Sequence, residues 1–139
     1  MTKSEITEQE LSDMGIRIIH CPCLQRKAIA GEEGFVVVGE IADSREARTV
    51  LEHEKQHFRL SAFYTQYADS TMRRRGEARV NRALIRELCP KKTLCALLRQ
   101  GRTVAEIAET LEVTEELVVD AYAFYSEQDP RAFRRRRCE

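Results

Sequence analysis

The stretch from Asp43 to Leu60 reads DSREARTVLEHEKQHFRL and decides the fold around it. Its apolar side chains recur at the three- and four-residue spacing of an amphipathic helix. Asp43 is a suitable N-cap, and Glu46 stands where its carboxylate can return to the backbone of the cap. The sequence therefore predicts one helix that begins after Asp43 and continues to about Leu60.

Residues 53–57 of this helix read HEKQH and match the pattern H-E-x-x-H. Because side chains four residues apart share one face of a helix, the imidazoles of His53 and His57 can bind one Zn²⁺. Glu54 lies beside the first histidine, where its carboxylate can take a proton from a water without binding the metal. The pattern predicts a zinc peptidase site, and the alternative is two solvated histidines on a charged helix face.

A catalytic zinc site needs a third protein ligand and one open position. Glu77 is best placed, because it lies early in a second predicted helix and shares a face with the apolar residues Val80, Leu84 and Leu88. A carboxylate in line with an apolar stripe needs a partner. The alternative is an exposed glutamate, stabilised by the dipole at the N-terminus of the helix. The other candidate ligands are His20, Cys21, Cys23, Asp69 and Glu87.

Short strands are predicted on the N-terminal side of these helices, after a short helix over 6–14. The β-branched residues at 16–20 and 34–39 predict two strands, and 28–30 predicts a third that turns back through 31–33. Glycines bracket the strand at 34–39. We expect this strand to be an edge to which an extended peptide substrate pairs through its backbone.

Helices dominate the second half of the chain, and Pro90 ends the one that carries Glu77. Strands followed by helices predict the α+β class, with a small three-stranded sheet and a helical domain after it. We expect one domain over 1–128 and a basic, disordered tail over 129–139. The predicted parts of the domain are the sheet and H-E-x-x-H helix (15–60), the Glu77 helix (71–89) and a C-terminal helical unit (93–126).

The composition excludes several classes of protein. The 139 residues carry 23 basic and 23 acidic side chains, and this zero net charge argues against a general nucleic-acid binder. No stretch approaches the ~20 apolar residues of a membrane helix, and the N-terminus is polar, so we expect a cytoplasmic protein. Five cysteines, an odd number at irregular spacing, indicate reduced and buried thiols rather than a disulfide framework.

A wider pattern joins these motifs. H-E-x-x-H at 53–57 is followed by Glu77-x-x-Val-x-x-Ala-Leu and then by GRTVAEIAETLEVTEELV at 101–118. From about Gly15 to Tyr125, this order resembles the ImmA/IrrE family of metallopeptidases. The resemblance implies a zincin-like, gluzincin-type fold in which His53, His57 and Glu77 hold one Zn²⁺ per chain. It also implies that Glu54 catalyses cleavage of a partner protein, a helix-turn-helix repressor of mobile-element or stress genes.

The chain departs from the family pattern inside the motif. Lys55 and Gln56 occupy positions where the family usually has an apolar and then a small residue. Two long polar side chains predict that this side of the helix is open to solvent. Tyr64 and Tyr67 are candidates for stabilising the oxyanion or contacting substrate, with the arginines at 73–75 as cationic alternatives. The other interpretation is a rim of aromatic residues and a solvated helix face.

The segment 104–120 resembles a helix-turn-helix, so a non-catalytic regulatory or DNA-binding protein is the alternative function. Its second helix opens with Glu115 and Glu116 and continues to Asp120. Acidic residues stand where phosphate contacts need lysine or arginine. We therefore expect a helical packing unit, or a surface that docks a basic repressor, and no direct binding of nucleic acid.

Overall fold

The structure is a computed structural model that describes residues 2–63 and 69–133. Over these residues the chain forms six helices and one three-stranded sheet, so the predicted α+β class is confirmed. The elements in chain order are α1 (Lys3–Asp13), β1 (Arg17–His20), β2 (Ala28–Gly31), β3 (Phe35–Val38), α2 (Ser44–Arg59), α3 (Ser70–Leu88), α4 (Lys91–Arg99), α5 (Val104–Leu111) and α6 (Glu115–Gln128).

The chain groups into two compact units, Met1–Leu84 and Ile85–Glu139. The first holds α1, the sheet, α2 and most of α3, and the second holds the remaining helices. The single domain predicted over 1–128 would include both units. None of the helices in the described part of the chain is long and apolar enough to cross a membrane.

The sheet has the order β1-β3-β2, with β1 parallel and β2 antiparallel to β3. β3 is the central strand, and its residues Val36 and Val38 are buried. The expectation that residues 34–39 form a substrate-binding edge is therefore wrong, since β3 is paired on both sides. β1 and β2 are the edges. Gly31 lacks the Cβ that would collide with the ring of Phe35, which lies against it in the hairpin.

The core of the first unit joins the sheet to α1 and α2. Apolar side chains from each of these elements meet there, and burial of a large aliphatic side chain contributes roughly 1.5–3 kcal/mol. The buried residues of the cluster are Leu11, Ile16, Val36, Val38 and Leu51.

The side of α2 that packs on α1 is polar but closed to solvent. Lys55 is only 1% exposed, and its ammonium lies 2.7 Å from a carboxylate oxygen of Glu10 on α1 and 2.7 Å from one of Glu52. The Thr7 hydroxyl donates to the other oxygen of Glu52 at 2.8 Å. Gln56 is buried as well. The prediction of an open side at Lys55 and Gln56 is wrong, because α1 supplies the carboxylate and hydroxyl that compensate the buried charges.

The second unit is helical, and α5 packs against α6. The buried Tyr125 hydroxyl of α6 donates to the Cys89 carbonyl oxygen at 2.9 Å. Thr103 and Glu106 form a capping box that begins α5. In the predicted tail, residues 129–133 are described, and the Phe133 ring stacks on Tyr122 with centroids 4.7 Å apart. Residues 134–139, including Cys138, lie outside the described residues.

The acidic start of α6 is exposed, as the sequence suggests. Glu115 and Glu116 occupy its first turn, and Asp120 follows one turn later. Asp120 is exposed, but partial desolvation raises its pKa, and the neighbouring charge of Glu116 adds to the effect. This part of α6 offers carboxylates rather than the basic side chains that DNA phosphates need.

Candidate metal centre

The two histidines of the motif lie one turn apart on α2 and face the same side. Their ring centroids are 4.8 Å apart, with the ring planes at 79°. His57 is nearly buried, and a quarter of the His53 side chain is exposed. The four-residue spacing therefore places both imidazoles on one wall, as the sequence predicts.

The orientation of His57 is set by the C-terminus of its own helix. After the C-cap Leu60, Ser61 takes a positive φ of 50°, and the chain turns back so that Ala62 N–H donates to the His57 carbonyl oxygen at 2.9 Å. Ser61 N–H donates to Phe58 in the same motif, a Schellman turn. The His57 Nδ1–H then donates to the Ala62 carbonyl oxygen at 2.6 Å. This bond directs Nε2, with its lone pair, away from the turn.

Ala62 is a residue of the candidate site that the sequence prediction missed. It acts through its carbonyl oxygen, so its apolar side chain gives no signal. The only sequence indication is that α2 ends shortly after His57, with the C-cap three residues beyond it. A helix C-terminus at that point brings backbone carbonyl oxygens close to the imidazole.

Glu77 reaches both histidines from α3. Its Oε2 lies 3.0 Å from His53 Nε2, and its Oε1 lies 3.2 Å from His57 Nε2. Glu77 is the eighth residue of α3, too far along for the dipole of the first turn to explain it. Within the described residues, His53, His57 and Glu77 form a group that could hold a metal ion, with their ligand atoms all within 4.8 Å of one another.

The other predicted third ligands do not join this group and have other partners. His20 lies 3.6 Å from Glu8 across the gap between β1 and α1. Asp69 accepts a hydrogen bond from Met72 N–H at 2.8 Å at the beginning of α3. The sulfur atoms of Cys21 and Cys23 contact each other. Glu87 is an exposed residue near the end of α3.

Glu54 lies beside the group but is not part of it. Its Oε1 is 3.4 Å from His53 Nδ1, and its side chain is largely buried. Burial lowers the pKa of His53, but hydrogen bonds to Glu54 and Glu77, together with their charges, outweigh it and hold the pKa above the usual 6.5. The two carboxylates thus make the histidine pair an electronegative site that favours a cation.

The group opens into a cleft of about 680 Å³. β2 forms one wall along its whole length, and the end of α2 and the first half of α3 form others. Of the three arginines at 73–75, Arg73 is the one that belongs to the described lining of this cleft. Tyr64 and Tyr67 lie outside the described residues. The charged residues lining the cleft besides the ligands are Arg26, Glu32, Glu33, Glu54 and Arg73.

The chain was also compared with protein-family models, with curated proteins and with solved structures. None of the three comparisons finds a match. Function has therefore to be inferred from the chemistry of the site. The motif resemblance to the ImmA/IrrE family stays a hypothesis.

Proposed function

We propose that this protein is a zinc-dependent endopeptidase with a zincin-like, gluzincin-type site. The observation that carries the proposal is the convergence of His53, His57 and Glu77, from two helices, on one point beside the carboxylate of Glu54. Three ligands leave one position open for water or substrate, as catalytic zinc sites require. A second carboxylate that is not a ligand is the further part that hydrolysis needs.

The donor set fits Zn²⁺. Two imidazole nitrogens and one carboxylate are typical ligands of a catalytic zinc. Ligand atoms of a tetrahedral site with bonds near 2.1 Å lie roughly 3.4 Å apart. One Glu77 oxygen lies 3.0 Å from His53 Nε2 and the other lies 3.2 Å from His57 Nε2. The ligand atoms all lie within 4.8 Å of one another, so modest side-chain shifts would bring them to this spacing. The bond from His57 Nδ1 to Ala62 supports the fit, because it keeps Nε2 available as the ligand atom.

Glu54 is the proposed proton carrier. A bound zinc ion would polarise a peptide carbonyl group and bring the pKa of a water molecule towards ~7. A Glu54 carboxylate oxygen then accepts the proton of the attacking water and passes it to the amine that leaves. Arg73 lines the same cleft, and among the described candidates its guanidinium is suited to stabilise the oxyanion.

β2 is the proposed substrate-binding strand, in place of β3. Gly39 N–H donates to the Lys27 carbonyl oxygen at 2.8 Å. The backbone N–H and C=O of Lys27 therefore point towards the β3 side of the hairpin. Because these directions alternate along an antiparallel strand, the N–H and C=O of Ala28 and Ala30 face away from β3. Both residues line the cleft. An extended peptide could therefore pair with this edge and place a carbonyl group near His53 and His57.

The proposed substrate is a helix-turn-helix repressor, on the strength of the motif resemblance. The direct test is incubation with a helix-turn-helix repressor, taken first from the neighbouring genes, alone, with a chelator and then with zinc restored. We expect two repressor fragments, none with the chelator, and recovery with zinc. His20→Ala is the control, since His20 is exposed and outside the ligand group. Equal cleavage in the presence of the chelator would contradict the proposal.

A further inference from the structure

Two cysteines outside the metal centre lie in contact in the connection between β1 and β2. The sulfur atoms of Cys21 and Cys23 are 3.3 Å apart. Cys23 is exposed and Cys21 is half-buried, so the expectation of buried thiols is wrong at these positions. The proposed peptidase chemistry uses neither residue. Their sulfur atoms need explanation because both are accessible and already adjacent.

The backbone holds the two thiols together. Cys21 N–H donates to the Val38 carbonyl oxygen at 2.8 Å, which anchors the first cysteine to the central strand. Leu24 N–H donates to the Cys21 carbonyl oxygen at 3.0 Å and closes a turn over residues 21–24. Pro22 is the second residue of this turn, where its fixed φ is favoured. The proximity of the thiols therefore results from a constrained turn, with the second cysteine directed to solvent.

The contact between the two sulfur atoms also affects the ionisation of Cys23. The hydrogen bond to the Cys21 sulfur and its charge raise the pKa of Cys23. The raised pKa favours the protonated form of Cys23, whose sulfur lies 3.3 Å from that of Cys21. This arrangement supplies a thiolate with a second thiol beside it, which disulfide exchange requires. Cys89 differs because it is fully buried, and this burial raises its pKa to about 11.

We propose that Cys21 and Cys23 form a redox-active pair that is oxidised to an intramolecular disulfide by a low-molecular-weight disulfide. The Cys21 thiolate attacks one sulfur of the oxidant, forms a mixed disulfide and releases one thiolate. Cys23 then loses its proton and attacks the Cys21 sulfur, and the second thiolate leaves. The cysteine pair gives up two electrons, the oxidant becomes two thiols, and the two cysteine protons pass to them. Closure requires the sulfur atoms to approach from 3.3 Å to about 2.05 Å.

The test is mass spectrometry of the whole chain after incubation with glutathione disulfide. Digestion with trypsin leaves both cysteines in one peptide, residues 18–26. We expect this peptide to become lighter by two hydrogen atoms and to return to its original mass with a reductant. Cys89 should stay unmodified in the same sample, since it is fully buried.

Cys23→Ser is the matched variant, because it removes the resolving thiol at an exposed position. We expect the 18–26 peptide of this variant to retain one glutathione on Cys21. The proposal is overturned if the wild-type peptide keeps two free thiols, or if it accumulates bound glutathione without closing. The wild-type result does not depend on how the variant folds, and neither result depends on peptidase activity.

Discussion

The two faces of α2 carry similar numbers of charged and polar groups but use them differently. We call His53, Glu54 and His57 the site face, and Glu52, Lys55 and Gln56 the back face. On the back face a lysine ammonium lies between two carboxylates, and α1 covers the cluster. On the site face, imidazole nitrogens and the Glu77 carboxylate surround a point that opens into the cleft.

This difference separates a structural cluster from a candidate metal centre. The cation of the back face belongs to the chain, so the buried Glu52 carboxylate has its counter-charge when the protein folds. On the site face, the ligand atoms of three side chains lie within 4.8 Å of one another. A metal ion bound from the solvent would stabilise such an arrangement of ligands. Both clusters lie within six residues of one helix, so sequence position alone does not distinguish them.

The largest expected effect is on the rate of cleavage, and it comes from a substitution on the site face. Glu54→Gln keeps the shape of the side chain but removes the carboxylate that accepts a proton. Cleavage should fall by roughly 10²–10⁴-fold, the usual contribution of a general base. Zinc content should not change, because Glu54 is outside the ligand group. Rates of repressor cleavage together with zinc analysis test this, and a fully active variant would rule out the proposed mechanism.

A substitution on the back face should instead lower the unfolding free energy of the protein. Lys55→Ala leaves Glu52 buried without its cation, and such losses cost about 3–5 kcal/mol of unfolding free energy. Urea denaturation measures the change. Lys92→Ala, an exposed position on α4, is the control and should stay within about 0.5 kcal/mol of wild type. A loss below about 1 kcal/mol at Lys55 would show that the back face is not a buried ion pair in solution.

A substitution on β2, which forms one wall of the cleft, should have a smaller effect on cleavage. Ala30→Pro removes an N–H that faces away from β3, so the hydrogen bonds between β2 and β3 are kept. If the substrate pairs with this edge, the loss of one backbone hydrogen bond should slow cleavage about tenfold and leave zinc content unchanged. Steady-state kinetics with the repressor measures the effect. Unchanged kinetics would exclude β2 as the binding edge.

The smallest expected effect is at the turn that orients His57. Ser61 has a positive φ of 50°, which glycine adopts without the steric cost of a Cβ. Ser61→Gly should raise the unfolding free energy by about 0.5–1 kcal/mol, and Ser61→Val should lower it. Neither should alter which residues bind the metal. Thermal denaturation compares the three chains, and a stabilised valine variant would contradict the Schellman turn.

The local features of the chain could be predicted from its sequence. The helix from Ser44 to Arg59 and the shared face of His53 and His57 follow from a periodicity of three to four residues. Glu77 could be selected because a carboxylate in line with buried Val80 and Leu84 needs a partner. These inferences depend on residues within one helix or on a simple charge argument.

The features that depend on distant residues could not be predicted. Lys55 looked solvated because its partner Glu10 lies 45 residues earlier. β3 looked like an edge because strand order is set by pairing with two separate segments. The Ala62 carbonyl oxygen was missed because every residue has one, and only the turn at Ser61 directs it to His57.

The central claim is that His53, His57 and Glu77 together bind one metal ion. Zinc per chain, measured by elemental analysis after dialysis against trace zinc, tests it most directly. We predict about one zinc for the wild type and for Glu87→Ala, and little or none for His57→Ala and Glu77→Ala. A His53→Ala, His57→Ala double variant that still retained one zinc per folded chain would contradict the account.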